Sequence, residues 1–196
     1  MYVTSTQTIL CAMGLCVIGA AVSLLFSWNK TLAGWVAFLF TAASSFLALL
    51  TAAIGLLRGP DVAVTLCSLP QVGSSLRLYV DGLSSIFILL IAAIAAASAF
   101  YSIRYMKHYP EYGVARYYPN FLLFIAGMYG IVTTTDLMVF FCIFWQMMTL
   151  PSYILIRYEF RKRANVQAAN KYLLMMEIAC ALVMAAAYLL AGSGPV

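Results

Sequence analysis

The sequence is poor in charged residues. Of its 196 residues, 9% are Asp, Glu, Lys or Arg, and 65% are hydrophobic. A soluble domain typically has about 25% charged residues, which cover its water-facing surface. This shortage excludes an ordinary soluble domain and indicates an integral membrane protein, in which the lipid bilayer surrounds most side chains.

Residues that bind metals, cofactors and nucleic acids are also scarce. His108 is the only histidine, and the five cysteines contain no Cys-x-x-Cys pair. The sequence has no nucleophile paired with a base, no phosphate-binding loop and no dinucleotide fingerprint. The net charge of +5 is not arranged as a basic stripe with interleaved exposed aromatic residues. We therefore expect no cofactor, no metal and no nucleic-acid partner. The sequence leaves open whether the chain belongs to an enzyme, and any redox chemistry would lie in partner subunits.

Long apolar runs dominate the chain. A helix that crosses a hydrocarbon core about 30 Å thick needs about 20 apolar residues. The runs predict an all-α membrane fold of about six transmembrane helices, at 8–27, 33–57, 84–103, 118–135, 137–157 and 171–191. Residues 121–156 contain one charge, Asp136, and as a single helix they would extend about 54 Å. We expect the chain to turn at 133–136, where Asp136 caps the next helix near the outer surface.

A different pattern separates the second and third predicted helices. Residues 62–69 and 75–80 alternate polar and apolar side chains on either side of a segment that contains Pro70 and Gly73. Alternation is typical of short strands, and proline and glycine are typical of turns. We expect a hairpin-like external loop at about 62–80, lying on one face of the membrane.

Positive charges are distributed unevenly between the two sides of the predicted bundle. The side that holds the amino terminus carries Arg58 and Arg77. The opposite side carries nine basic residues: Lys30, Arg104, Lys107, Arg116, Arg157, Arg161, Lys162, Arg163 and Lys171. Since cytoplasmic loops are enriched in Lys and Arg, we expect loops 104–117 and 158–170 in the cytoplasm and both termini outside a bacterial or archaeal cell membrane. The cluster at 161–163 is interpreted as a topology signal, and a phospholipid-binding patch is the alternative.

Ionisable and amide side chains at membrane depth need an explanation, because burying them in lipid is costly. Glu177 is predicted about six residues into the last helix, where it is either a proton-carrying carboxylate or a structural partner for another helix. Lys171 is predicted at the start of that helix, where it would extend toward the interface. Gln146 is predicted near the middle of the fifth helix, where it either forms a structural hydrogen bond to another helix or belongs to a polar route. Pro151 follows it and predicts a kink there, because proline lacks the backbone N–H.

Six segments, in order, carry a more specific pattern: 76–87 (LRLYVDGLSSIF), 101–106 (YSIRYM), 120–128 (NFLLFIAGM), 136–141 (DLMVFF), 144–156 (FWQMMTLPSYILI) and 168–172 (AANKY). Together they resemble the amino-terminal part of the antiporter-like, proton-translocating membrane subunits of respiratory complex I (NADH-quinone oxidoreductase) and energy-converting hydrogenases. The chain is most similar to hydrogenase-4 component B and its formate hydrogenlyase relatives. The resemblance implies a larger helical fold, whose first six helices precede an inverted repeat pair with the central proton pathway. Residues 1–196 would form a single membrane domain equivalent to those six helices, as a short or split subunit or a fragment.

The resemblance also assigns roles to individual positions. The family commonly has a glutamate directly after an aromatic residue in the fifth helix, and this position is Gln146, which cannot exchange a proton near neutral pH. Lys171 matches a lysine of several relatives, whereas Glu177 lies where relatives vary among polar residues. The candidate proton relay is therefore Glu177, Lys171, Gln146 and Asp136.

Two functional hypotheses follow. In the first, the chain is an antiporter-like subunit of a complex-I-like or hydrogenase complex. It would anchor other membrane subunits and contribute to proton or sodium translocation, with the energy supplied by redox chemistry in its partners. In the second, it is a structural membrane scaffold that retains the family fold and transports nothing itself.

Overall fold

The computed structural model describes residues 4–59, 63–69 and 74–192, and it confirms the helical membrane fold. Within those residues the chain forms six α-helices: α1 (Ser5–Leu25), α2 (Lys30–Arg58), α3 (Gly82–Tyr105), α4 (Tyr118–Thr133), α5 (Val139–Ile156) and α6 (Arg163–Gly192). Two single-turn 3-10 helices, Met106–His108 and Val114–Arg116, lie in the connection between α3 and α4.

Polar residues just before the apolar runs explain where several helices begin. The Thr4 side chain accepts a hydrogen bond from the backbone N–H of Gln7 at the start of α1. The Asn29 side chain accepts from two backbone N–H groups at the start of α2. Asp81 accepts from the backbone N–H of Ser84, 2.7 Å away, at the start of α3. Each cap satisfies N–H groups that have no partner inside the helix.

Helix α4 is short and lies at the centre of the packing. Within the part of the chain that the structure describes, five helices are long and apolar enough to cross a membrane, and α4 is not among them because it has 16 residues. It extends about 24 Å, less than a hydrocarbon core of about 30 Å. Several of its large side chains, among them Tyr118, Leu122, Ile125 and Tyr129, are almost fully buried. Helix α4 therefore acts as the core against which α1 and α5 pack.

The predicted hairpin is confirmed. Strands β1 (Val64–Leu69) and β2 (Ser74–Leu78) pair antiparallel, with a bulge between Thr65 and Cys67. The expected turn at 70–73 lies outside the described residues. The chain following β2 is hydrogen-bonded to the turn after α4, because the Tyr79 N–H donates to the Thr133 carbonyl over 2.8 Å. We call this end of the bundle the hairpin end.

Most of the basic loops meet at the opposite end. The Lys30 ammonium at the start of α2 donates to the carbonyls of Tyr109 and Pro110, at 2.7 and 3.0 Å. Arg161 forms a 2.7 Å salt bridge with Glu111. These contacts connect the start of α2, the α3–α4 connection and the α5–α6 loop, and we call this end the basic end. The unequal charge distribution that the sequence predicts is therefore present in the fold.

The predicted start of the last helix was wrong. Helix α6 begins at Arg163 and not at 171, so it has 30 residues and extends about 45 Å. Residues 163–170 include Arg163, Asn165, Gln167 and Asn170, which are polar. A search for apolar runs misses these polar helical turns, because a helix can continue past the hydrocarbon core into the water-facing region.

Candidate functional site

Gln146 and Glu177 form a direct contact between α5 and α6. The amide Nε2 of Gln146 donates a hydrogen bond to Oε2 of Glu177 over 2.9 Å, and both side chains are partly buried. Gln146 lies seven residues after the start of α5. Glu177 lies 14 residues after Arg163 and 15 before Gly192, in the middle of α6. The two polar side chains that the sequence placed on separate helices therefore form one pair.

The earlier start of α6 changes the distance of Glu177 from the helix end. A helix starting at 171 would place the carboxylate about 9 Å from its cytoplasmic end. Because α6 begins at Arg163, the distance along the helix is about 21 Å. A carboxylate at the centre of a membrane helix costs several kcal/mol unless it is paired, hydrated or protonated. Because residues 163–170 extend past the apolar run, the longer helix does not place Glu177 deeper in the membrane, and Gln146 supplies the hydrogen-bond partner that a carboxylate at this depth needs.

A second polar contact lies beside this pair. The sulfur atoms of Cys142 and Cys180 are 3.8 Å apart, and both cysteines are free thiols. Cys142 is four residues before Gln146 on α5, and Cys180 is three residues after Glu177 on α6. These spacings place each cysteine about one turn from the Gln146–Glu177 pair on the same helix face. Sequence reasoning missed this contact, although the spacing was a signal for it.

The chemistry of an amide and a carboxylate allows two hydrogen-bonded states. An ionised Glu177 can only accept, and the Gln146 NH₂ group supplies the donor. A protonated Glu177 has an O–H, which the Gln146 carbonyl oxygen can accept after a rotation of the amide. Gln146 itself does not take up a proton in either state. The pair can therefore hold Glu177 both with and without a proton.

Lys171 does not join this pair. It lies eight residues after Arg163 and not at the helix start, so its predicted position was wrong. Its side chain is exposed, and within the described residues it makes no hydrogen bond or salt bridge. Lys171 and Glu177 are six positions apart, which is about 120° around a helix and about 9 Å along it. The two side chains therefore make no direct contact.

Asp136 lies at the hairpin end, away from the pair, and its predicted capping role is confirmed. One carboxylate oxygen accepts from the backbone N–H groups of Met138, Val139 and Phe140, at 3.0, 2.9 and 3.3 Å. The other accepts from the Ser74 hydroxyl and, over 3.1 Å, from the Ser75 N–H. Asp136 thus joins the start of α5 to strand β2.

The same contacts set the pKa of Asp136. Its partial burial raises the pKa, but the hydrogen bonds from Ser74, Ser75 and the start of α5 outweigh it and lower the pKa below its ordinary value. Asp136 is therefore held as an anion. A group that stays ionised is well suited to capping a helix and poorly suited to exchanging protons.

Comparison with known proteins gives two family matches. Residues 68–118 match the family described as NADH-ubiquinone oxidoreductase (complex I), chain 5 N-terminus. Residues 134–196 match the family described as NADH:quinone oxidoreductase/Mrp antiporter, TM. The chain belongs to the complex I/Mrp antiporter-like membrane subunit family. The second match includes α5 and α6, so the Gln146–Glu177 pair lies within the part of the chain that matches the family.

Individual relatives of the complex I/Mrp family are similar over part of the chain. The Na(+)/H(+) antiporter subunit A1 of Staphylococcus haemolyticus (strain JCSC1435) is 34% identical over 117 residues, which is 60% of this chain. The subunit A1 of Staphylococcus aureus (strain JH9) is 31% identical over 130 residues, or 66% of the chain. The matched regions cover only 14% and 16% of these relatives. The chain therefore corresponds to a small part of each of them.

Proposed function

We propose that the chain contributes part of an ion route in a multi-subunit membrane complex, with Glu177 as the group that carries the proton. The observation that supports this role is the hydrogen bond between Gln146 and Glu177 in the middle of two membrane helices. A carboxylate on a membrane helix is by default a functional candidate, because a purely structural role is met at lower cost by a neutral group.

The neutral side chain of Gln146, the partner of Glu177, supports a change of charge on the Glu177 carboxylate. An arginine or lysine beside Glu177 would favour the ionised carboxylate and hold it in that state. The neutral Gln146 amide can bond to either protonation state. Loading and release of a proton at Glu177 would therefore cost less structural rearrangement than breaking an ion pair. Gln146 takes the role of a positioning residue, and Lys171 remains a predicted member of the relay without a contact to the pair. Asp136, the fourth predicted member, is assigned the cap of α5 and no proton-transfer step.

The proposal has two forms, which differ in the source of energy and in the partner subunits. The relatives described as Na(+)/H(+) antiporter subunits favour exchange of a cation for a proton. In the other form of the proposal, redox reactions in partner subunits of a hydrogenase or NADH-quinone complex supply the energy. In both forms residues 1–196 act as one membrane domain, with the basic end in the cytoplasm and the termini outside. Other membrane subunits are its partners.

The test is cation-driven proton movement in everted membrane vesicles that contain the complete complex, followed with a pH-sensitive dye. Glu177→Gln keeps the size and polarity of the side chain but removes the titratable group, and we expect at least a tenfold loss of exchange. Glu111→Gln is the matched control, since it removes an exposed carboxylate at the basic end. We expect the control to retain the wild-type rate.

Assembly is measured on the same membranes. Normal assembly of Glu177→Gln with wild-type exchange would reject Glu177 as the proton carrier and support the scaffold hypothesis. Loss of assembly in Glu177→Gln would indicate a structural role for the pair.

A further inference from the structure

The basic end contains a cavity with two arginines that have no acidic partner among the described residues. It has a volume of about 340 Å³ and lies between the start of α4 and the end of α5. Its lining includes Arg116, Asn120, Tyr153 and Arg157. A volume of this size falls within the range of about 300–1,000 Å³ that is typical of small-molecule sites.

The charges around this cavity do not balance. Of the residues that the structure describes, two acidic ones lie at the basic end, and each has another partner: Glu111 pairs with Arg161, and Glu159 pairs with Lys162. Within the described residues, neither Arg116 nor Arg157 forms a salt bridge. Two guanidinium groups that face one cavity without a carboxylate form a site suited to an anion, and guanidinium geometry matches a phosphate group.

Neighbouring side chains hold the arginines in place. Arg157 donates to the Tyr153 hydroxyl over 2.9 Å, and Tyr153 in turn contacts Asn170 of α6 over 3.3 Å. The guanidinium carbon of Arg116 lies 5.1 Å from the centre of the Phe160 ring. These contacts reduce the side-chain entropy that the arginines would lose on binding an anion.

An apolar groove lies along the same helix, α4. It has a volume of about 310 Å³ between α3 and α4, and its lining includes Ile94, Ser98, Phe124 and Met128. Phe124 follows Asn120 by one helical turn, so the two lie on neighbouring parts of the α4 surface. The cavity is at the basic end, and the α4 residues of the groove, 121–128, follow Asn120 along the helix toward the membrane interior. A charged site at the interface beside an apolar groove at membrane depth matches the two parts of a phospholipid.

We propose that this cavity binds the phosphate of an anionic phospholipid, with Arg116 and Arg157 as its ligands and an acyl chain in the groove between α3 and α4. Basic pockets between membrane helices are known to hold anionic lipid headgroups. The site differs from the Arg161–Arg163 cluster, and it does not depend on ion transport by this chain.

The experiment measures lipid retention by the protein or complex purified from membranes, using native mass spectrometry with added phosphatidylglycerol or phosphatidylcholine. We expect wild type to retain phosphatidylglycerol preferentially. The double variant Arg116→Gln/Arg157→Gln should bind it about 25-fold more weakly, if each arginine contributes about fivefold. Arg161→Gln/Arg163→Gln is the matched control, because it removes the same charge at the same end, and it should stay within about twofold of wild type.

The headgroup and the acyl chain are tested separately. Ser98→Phe fills the groove and should weaken long-chain phosphatidylglycerol while leaving its dihexanoyl form unchanged. Inorganic phosphate that binds as tightly as phosphatidylglycerol, with no effect of Ser98→Phe, would identify a free anion site and overturn the lipid proposal. Equal losses in the two arginine double variants, or equal retention of the two lipids, would overturn it as well.

Discussion

Gly127 of α4 packs directly against the backbone of Met148 in α5. A Cβ atom added to Gly127 would lie 2.6 Å from the Met148 backbone nitrogen, closer than real contacts allow. Small residues at such positions let membrane helices approach closely, so that dispersion and backbone contacts hold them together. This contact sets the distance between α4 and α5 and, through α5, the position of Gln146.

We therefore predict that Gly127→Ala destabilises the protein. The added methyl group meets backbone and not a movable side chain, so the helices must separate at a cost of about 1–3 kcal/mol. Thermal unfolding in detergent measures the effect. Gly14→Ala is the control, because a Cβ at Gly14 would meet no other part of the described chain within 4 Å, apart from its chain neighbours and its own helix backbone. It should be neutral or slightly stabilising, and a similar loss in both variants would contradict the packing argument.

The Gln146–Glu177 hydrogen bond should be measurable as a coupling energy. Gln146→Met conserves the side-chain volume but removes the donor that Glu177 accepts from. We expect a double-mutant cycle of Gln146→Met and Glu177→Met to give a coupling of about 0.6 kcal/mol and at most about 1.7 kcal/mol, the average and the maximum found for interhelical hydrogen bonds in a membrane protein. Thermal or denaturant unfolding of the four proteins supplies the numbers. Additive effects would show that the two side chains act independently.

The α5–α6 register predicts a specific crosslink. The Cys142 and Cys180 sulfur atoms are 3.8 Å apart and need to approach to about 2.05 Å to form a disulfide. In a variant with Cys11, Cys16 and Cys67 replaced by serine, a membrane-permeable oxidant should remove two electrons and two protons and join the remaining thiols. Mass spectrometry of the digested protein detects the crosslinked peptides. Failure to crosslink while both thiols react with an alkylating reagent would contradict this register.

The lowered pKa of Asp136 predicts that the folded protein loses stability in acid. Its folded-state pKa lies below the ordinary value of 3.8, so its hydrogen bonds contribute their full stability above that pH. This contribution disappears as the pH falls through the lower, folded-state pKa. We expect Asp136→Asn to be less stable than wild type at neutral pH, and the difference to shrink below about pH 3.8.

The measurement for Asp136 is thermal unfolding as a function of pH, in detergent. Glu111→Gln, at the basic end, serves as the control and should retain the wild-type decrease in acid. An Asp136→Asn variant with the full wild-type decrease would show that other carboxylates cause it.

The features that the sequence predicted well are local ones. Apolar runs of the right length marked the six helices, and strand alternation marked the hairpin, because both patterns depend on neighbouring residues and on the solvent around them. The capping role of Asp136 was also local, because its carboxylate lies within four residues of the backbone N–H groups that donate to it. The predicted start of α6 was wrong because it followed the apolar run, and residues 163–170 are helical although they lie outside that run.

The family and the membrane fold were thus determined by the sequence itself, whereas the site was decided by the tertiary structure. Gln146 and Glu177 are 31 positions apart, and nothing in either helix specifies that they meet. Their contact depends on the length of α6, on the loop at 157–162 and on the close packing of α4 against α5. The cavity with Arg116 and Arg157 likewise needs two helix ends to converge. Such contacts arise from the relative rotation and register of packed helices, which the periodicity of each helix alone does not contain.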